Sequence, residues 1–162
     1  YQLEESKKSK EDEIKDINKS INDTWKEIGG IDGNELGRDG EIWTIADKCF
    51  DITAGKYTYE VCLFGKALQK EGSDKGGGTN LGQWTGIEYE NDDNGDDSIR
   101  VMTWENGAKC WNGPKRSATV YMKCGIDHKI ISANEPDTCR YVFEMESYLA
   151  CDDSYKLRAG LL

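Results

Sequence analysis

The 162 residues carry a net charge of −10, from 31 acidic against 21 basic side chains, and 36% of them are hydrophobic. That balance excludes a nucleic-acid backbone partner, which needs clustered Lys and Arg, and disfavours an anionic membrane surface. The length fits one domain with its own core plus an appendage, no apolar run approaches the ~20 residues that span a bilayer, and no signal-peptide pattern opens the sequence. Tyr1 is accordingly expected to begin a processed or trimmed fragment.

Residues 4–25 are densely charged, and Ile14, Ile17, Ile21 and Trp25 recur at helical spacing, which predicts a helix with one narrow apolar stripe. The stripe is expected to pack on the chain's own domain; the competing reading is a docking helix for a larger partner. The sequons Asn18-Lys-Ser and Asn22-Asp-Thr fall within it. Gly29-Gly30, Asp32-Gly33-Asn34 and Asp39-Gly40 then mark a joint. The expected division is a charged helical segment and linker at 1–40 and a β domain at 41–162.

Beyond the joint the period changes to two. Tyr57, Tyr59, Val61 and Leu63 alternate with Thr58, Glu60, Cys62 and Phe64, and comparable strand-like runs occupy 41–50, 98–104, 118–124 and 139–146. Turn formers separate them: Gly76-Gly77-Gly78, Asn94-Gly95, Asn106-Gly107, Asn112-Gly113-Pro114 and Glu135-Pro136. Many short strands with no helical pattern between them predict an all-β barrel or sandwich.

All six cysteines (Cys49, Cys62, Cys110, Cys124, Cys139, Cys151) lie in the β region. An even count spread through one globular unit reads as disulfides formed in an oxidising compartment, with ~15 pairings open to sequence reasoning. Zinc fails on spacing, because no Cys-x2–4-Cys pair exists and His128 is the single histidine. Gly76-Gly77-Gly78-Thr79 lacks the Gly-Lys-Ser/Thr ending of a phosphate loop. The acidic run at 92–97 has Gly95 misplaced for an EF-hand and Thr103 where the twelfth-position Glu belongs, so it is read as a solvated turn. With no second histidine and no Gly-x-Ser-x-Gly, nucleophilic catalysis has little support, and no spacing singles out a carboxylate pair. The expectation is a protein without catalytic residues, metal or cofactor.

One group of residues has a chemistry of its own. Gln69 donates and accepts through one amide, Arg116 offers a rigid fork of donors, Glu135 accepts from two adjacent hydroxyls, and Tyr141 does either from a stiff ring. Trp111 supplies an apolar wall for the C–H face of a sugar. Such a set suits a neutral polyol, because a buried polar group left unpaired by the wrong sugar costs about 1–3 kcal/mol. Residue types alone also admit a plain reading: a surface ion pair between Arg116 and Glu135, a solvated Gln69, and Tyr141 and Trp111 in the core.

The pieces Tyr-Thr-Tyr-Glu-Val-Cys at 57–62, Leu-Gly-Gln-Trp at 81–84, Cys-Trp-Asn-Gly-Pro-Lys-Arg-Ser at 110–117, Cys-Gly at 124–125, Glu-Pro-Asp-Thr-Cys-Arg-Tyr at 135–141 and Ala-Cys at 150–151 resemble the mannose 6-phosphate receptor homology domain over about 47–152. The resemblance implies a flattened β-barrel of two antiparallel sheets with disulfides Cys49–Cys62, Cys110–Cys139 and Cys124–Cys151. It also implies a mannose pocket made by Gln69 and Arg116 at the axial 2-hydroxyl and by Glu135 and Tyr141 at the 3- and 4-hydroxyls. Glu144 and Glu146 rival Glu135, and Gln83 rivals Gln69. Glu135 is preferred because it precedes Cys139 and Tyr141 follows it, in the family's order. Within the family the 110–117 segment looks most like the version in the beta subunit of the endoplasmic-reticulum enzyme glucosidase II. A tandem Trp of the degradation lectins is absent, with Lys56-Tyr57 near its place. This likeness implies a non-catalytic lectin subunit in the endoplasmic-reticulum lumen. It would bind terminal mannose of high-mannose N-glycans beside a catalytic alpha subunit. The alternatives are a sorting or degradation lectin and an interaction module without sugar binding.

Overall fold

The computed structural model describes residues 2–27, 36–37, 40–72, 77–91, 99–151 and 160. The joint at 29–34 and Asp39, Gly76 of the glycine run, and the acidic run at 92–97 lie outside the described residues, as does the side chain of Trp25. Helix α1 runs over Gln2–Glu27, and a 3-10 turn, η1, over Glu41–Ile45. Eight strands follow: β1 Cys49–Ala54, β2 Tyr57–Cys62, β3 Lys66–Glu71, β4 Thr79–Glu90, β5 Ile99–Asn106, β6 Ser117–Cys124, β7 Lys129–Asp137 and β8 Arg140–Ser147, closed by a second 3-10 turn, η2, at Tyr148–Ala150.

All eight strands belong to one continuous sheet in the order β1-β2-β3-β4-β5-β6-β8-β7. The two edge strands, β1 and β7, come back against each other, so the sheet nearly closes into the expected barrel. Every pairing is antiparallel except β6 with β8, which run parallel because the β7–β8 hairpin turns β8 back along β6. The three disulfides are Cys49–Cys62, Cys110–Cys139 and Cys124–Cys151, the pairing that the resemblance implied.

Alternation explains which strands fill the barrel. In β6, Ala118, Val120 and Met122 are buried, and in β8 Tyr141, Phe143 and Met145 are, each opposite its partner in register. Trp104 of β5 is fully buried, stacks edge-on against Trp84 at 5.1 Å, and donates its indole N–H to the Cys62 carbonyl at 3.0 Å. Its backbone meets Gly82 so closely that a Cβ there would lie 2.6 Å from the Trp104 carbonyl. Gly82, at φ 153°, is therefore required where β4 crosses the largest core side chain.

Three expectations need correction. The run at 41–50 is not one strand: only Cys49 and Phe50 are in β1, and Glu41–Ile45 form η1. Ile42 and Ile45 are both buried, a spacing of three that brings one side of a 3-10 turn against the core. Glu41 fixes the turn by accepting from Tyr89 at 2.8 Å and from the buried Arg100 at 2.9 Å. The described part of the stripe on α1 does not pack on the domain either, since Ile14 and Ile17 are 58% and 59% exposed and Ile21 is exposed too. Helix propensity and i,i+3/i+4 pairs such as Lys10–Glu13 at 2.7 Å support that helix instead. The turn read at Glu135-Pro136 is likewise strand, carried in β7 with a register shift between Asn134 and Asp137 that accommodates the proline at a sheet edge.

His128 sits where the barrel closes. Its ring lies 4.3 Å from Tyr148 and 6.1 Å from Phe50 of β1, and Nδ1 is 2.8 Å from the Ser147 hydroxyl. Ser147 accepts from the Leu149 amide at 3.1 Å, which leaves its own proton for the neutral imidazole. Burial, then Lys48, push the imidazole below its ordinary value, and Asp127 pulls the other way. Below about pH 6.5 the folded state therefore holds fewer protons than the unfolded chain. This contribution to stability is whole above that pH and is lost as pH falls through the lowered value. The melting temperature is expected to drop between about pH 7 and about pH 5 more steeply for the wild type than for His128→Asn, which keeps an acceptor and does not titrate. Equal drops would remove His128 from this account.

Candidate functional site

The hairpin that carries Arg116 is built by local chemistry. Cys110 N donates to the Pro114 carbonyl at 3.2 Å across a turn in which Asn112 takes φ 58°, a conformation asparagine tolerates well. Gly107 N to the Arg116 carbonyl at 2.9 Å and Arg116 N to the Ala108 carbonyl at 3.1 Å close its base. A Cβ on Gly107 would sit 2.5 Å from the Leu81 backbone, so the hairpin lies directly on β4. The disulfide Cys110–Cys139 ties it to the β7–β8 turn.

The Arg116 side chain is held by its own loop: Nη1 donates to the Lys109 carbonyl at 3.0 Å and to the Ala108 carbonyl at 3.3 Å. Its Nε is buried with no hydrogen-bond partner among the described residues. Glu135, at the far side, accepts from the Cys139 amide at 2.8 Å, which steadies Cys139 in a left-handed conformation with φ 65°.

Tyr141 joins these two. Its ring is buried in β8, and burial raises the phenol above its ordinary value. The hydrogen-bonding Arg116 guanidinium opposes that rise, while Glu135 and Tyr59 add to it. The phenol thus stays protonated at neutral pH, between a fork of donors and a carboxylate. Gln69 enters through Tyr59, its direct partner across the β2–β3 hairpin. Gln69 Nε2 donates to the Tyr59 hydroxyl at 3.1 Å, and the Tyr59 ring lies 5.9 Å from that of Tyr141. A hydrogen bond and a ring contact thus lead from Gln69 through Tyr59 to Tyr141, whose phenol feels the charges of Arg116 and Glu135.

The rivals lie elsewhere. Gln83 Nε2 is engaged by the Gly65 carbonyl at 2.9 Å. Glu144 and Glu146 alternate with the buried Tyr141, Phe143 and Met145, so they belong to the other face of β8, where Glu144 accepts from Ser132 at 3.1 Å. Trp111 is 91% exposed at the tip of the hairpin and makes no wall within the cluster. Tyr59 is the member that sequence reading missed, because it was counted only as a strand residue; its signal is the hairpin register that sets it beside Gln69. Among the described residues the one Ser–His pair, Ser147 with His128, has its serine fully buried. Among the described residues no group of three or more metal-ligating side chains converges. No helix among them is long and apolar enough to cross a membrane.

A nearly closed eight-stranded sheet, three disulfides and this cluster define a mannose 6-phosphate receptor homology domain. The family described as glucosidase II beta subunit-like protein matches residues 3–161, and the chain belongs to it. The glucosidase 2 subunit beta of Oryza sativa subsp. indica is 38% identical over 120 residues, covering 74% of this chain and 18% of the rice protein. The Homo sapiens subunit is 33% identical over 122 residues, covering 74% of this chain and 22% of its own. The chain thus spans about a fifth of the length of these relatives. The crystal structure of the homology domain of glucosidase II beta bound to mannose superposes with a TM-score of 0.53 at 32% identity, covering 68% of this chain and 99% of that one. The corresponding domain of Yos9, at 20% identity and a TM-score of 0.59, shares the fold.

Proposed function

We propose that this chain is the lectin domain of a non-catalytic glucosidase II beta subunit, and that it binds terminal mannose of high-mannose N-glycans in the endoplasmic-reticulum lumen. The observation that carries this reading is the grouping of Gln69, Tyr59 and Tyr141 with Arg116 and Glu135 beside the phenol, on a domain similar to one solved with mannose bound. Gln69 and Arg116 take the 2-hydroxyl; Glu135 and Tyr141 take the 3- and 4-hydroxyls. The unpartnered Arg116 Nε marks where donor capacity remains. Trp111, at the hairpin tip, offers its ring face to the sugar from outside the cluster.

By holding one glycan arm, the domain raises the effective concentration of another at the active site of a catalytic alpha subunit, which removes glucose. Few atoms of a monosaccharide are buried, so a single site binds in the ~millimolar range. Glu135→Gln keeps the acceptor for Cys139 N and removes the charge. It is expected to abolish mannose binding in an NMR titration while the melting temperature changes little. Undiminished affinity would take Glu135 out of the pocket.

A further inference from the structure

The β6–β8 pair has a second face. Since Ala118, Val120, Tyr141 and Phe143 point into the core, Ser117, Thr119, Arg140 and Val142 point away from it. In register, Ser117 is opposite Arg140 and Thr119 opposite Val142, and Asp137 of β7 extends the row beside Arg140. A cavity of about 610 Å³ lies on this face, bounded also by Glu105 at the end of β5 and by Lys115 of the hairpin. Arg116 and Tyr141 contribute to its wall, so it adjoins the mannose cluster.

Apart from Arg116 and Tyr141, the polar side chains of this cleft are unengaged among the described residues. Elsewhere on the sheet facing charges pair: Lys56 with Glu71 at 2.8 Å, Lys70 with Glu60 at 2.9 Å and Lys123 with Glu144 at 3.7 Å. Asp137 and Arg140, directly opposite each other, do not pair. Among the described residues no hydrogen bond or ion pair engages the side chains of Glu105, Lys115, Ser117 or Thr119 either. Lys115, Arg116 and Arg140 stand against Glu105 and Asp137 on the cleft's lining, an excess of one cation in a chain of net charge −10. Val142 and two prolines add apolar surface between the polar groups. Converging donors, acceptors and hydroxyls over a partly apolar floor fit a polyhydroxylated ligand.

We propose that this outer cleft is a second carbohydrate site, for sugar units of a neutral oligosaccharide other than its terminal mannose. The choice of ligand class rests on the lectin reading above; the cleft itself does not. The test titrates the whole chain with mannose and with a branched mannopentaose, wild type against the double variant Thr119→Val, Arg140→Gln. Both positions lie on the outer face, outside the mannose cluster. The expected result is mannose affinity unchanged, pentaose affinity about fivefold to tenfold weaker in the variant, and intermolecular NOEs from the pentaose to the Val142 methyls of the wild type. Mannose binding with equal pentaose affinities and no contact at Val142 would overturn the cleft and leave the lectin intact. Pentaose contact at Val142 without any response to mannose would support the cleft and overturn the mannose cluster.

Discussion

Arg116→Ala is expected to reduce mannose binding below detection while leaving the barrel folded. The guanidinium brings a planar fork of donors to the sugar, and its removal leaves ligand hydroxyls and the Tyr141 phenol without their partner. Each unpaired group costs about 1–3 kcal/mol, and 1.4 kcal/mol is about tenfold, so a ~millimolar ligand becomes unmeasurable. The fold loses less. The two carbonyls that Nη1 serves, at Ala108 and Lys109, belong to a hairpin that backbone hydrogen bonds and the Cys110–Cys139 disulfide also hold. A loss of about 1 kcal/mol in urea unfolding is the expected scale. Arg116→Lys is expected to fail nearly as badly, since an ammonium carries the charge without the fork. An amide spectrum that stays dispersed while mannose shifts vanish is the signature; a lysine variant with wild-type affinity would reduce the role of Arg116 to charge alone.

The largest effect on stability is expected at the opposite end of the argument, in the core. Trp104→Ala removes the largest fully buried side chain, strips Trp84 of its edge-on partner, and leaves the Cys62 carbonyl without its indole donor. Large-to-small changes of this kind cost about 3–5 kcal/mol, a large part of the 5–15 kcal/mol that holds a typical domain. The midpoint of urea unfolding under oxidising conditions should fall accordingly with an unchanged slope. A loss under about 1 kcal/mol would mean that Trp104 is not at the centre of the packing.

How much of this was legible in the sequence differs from strand to strand. Where one face is buried and the other solvated, as in β6 with Ala118, Val120 and Met122, alternation alone gives the strand. It gives less for β4, where Gly82 and the register shift between Trp84 and Gly86 break the period, and for β3, where Ala67 is the single fully buried residue. The turn η1 was misread because Ile42, Trp43 and Ile45 have strand-like chemistry; the deciding spacing of three emerges only when the core is in place. The stripe on α1 was misassigned because periodicity identifies a helix face but not what covers it. Disulfide pairing followed from the resemblance, since six cysteines by themselves leave about 15 choices.

At the site, the chain order of Glu135, Cys139 and Tyr141 singled out residues that lie near one another in the fold. Tyr59 was invisible because its contact with Gln69 depends on cross-strand register, which the local pattern of either strand does not carry. Alternation along β8 separates Glu144 and Glu146 from the cluster, a distinction that needs only the inward position of Tyr141 and Phe143.

The central claim is that the cluster around Tyr141 distinguishes mannose from glucose, and an NMR titration of the wild-type chain with the two sugars tests it most directly. Mannose should shift the amides around Gln69, Arg116, Glu135 and Tyr141 with ~millimolar affinity, and glucose, which lacks the axial 2-hydroxyl, should not. Equal responses to both sugars, or silence from mannose with the fold intact, would contradict it.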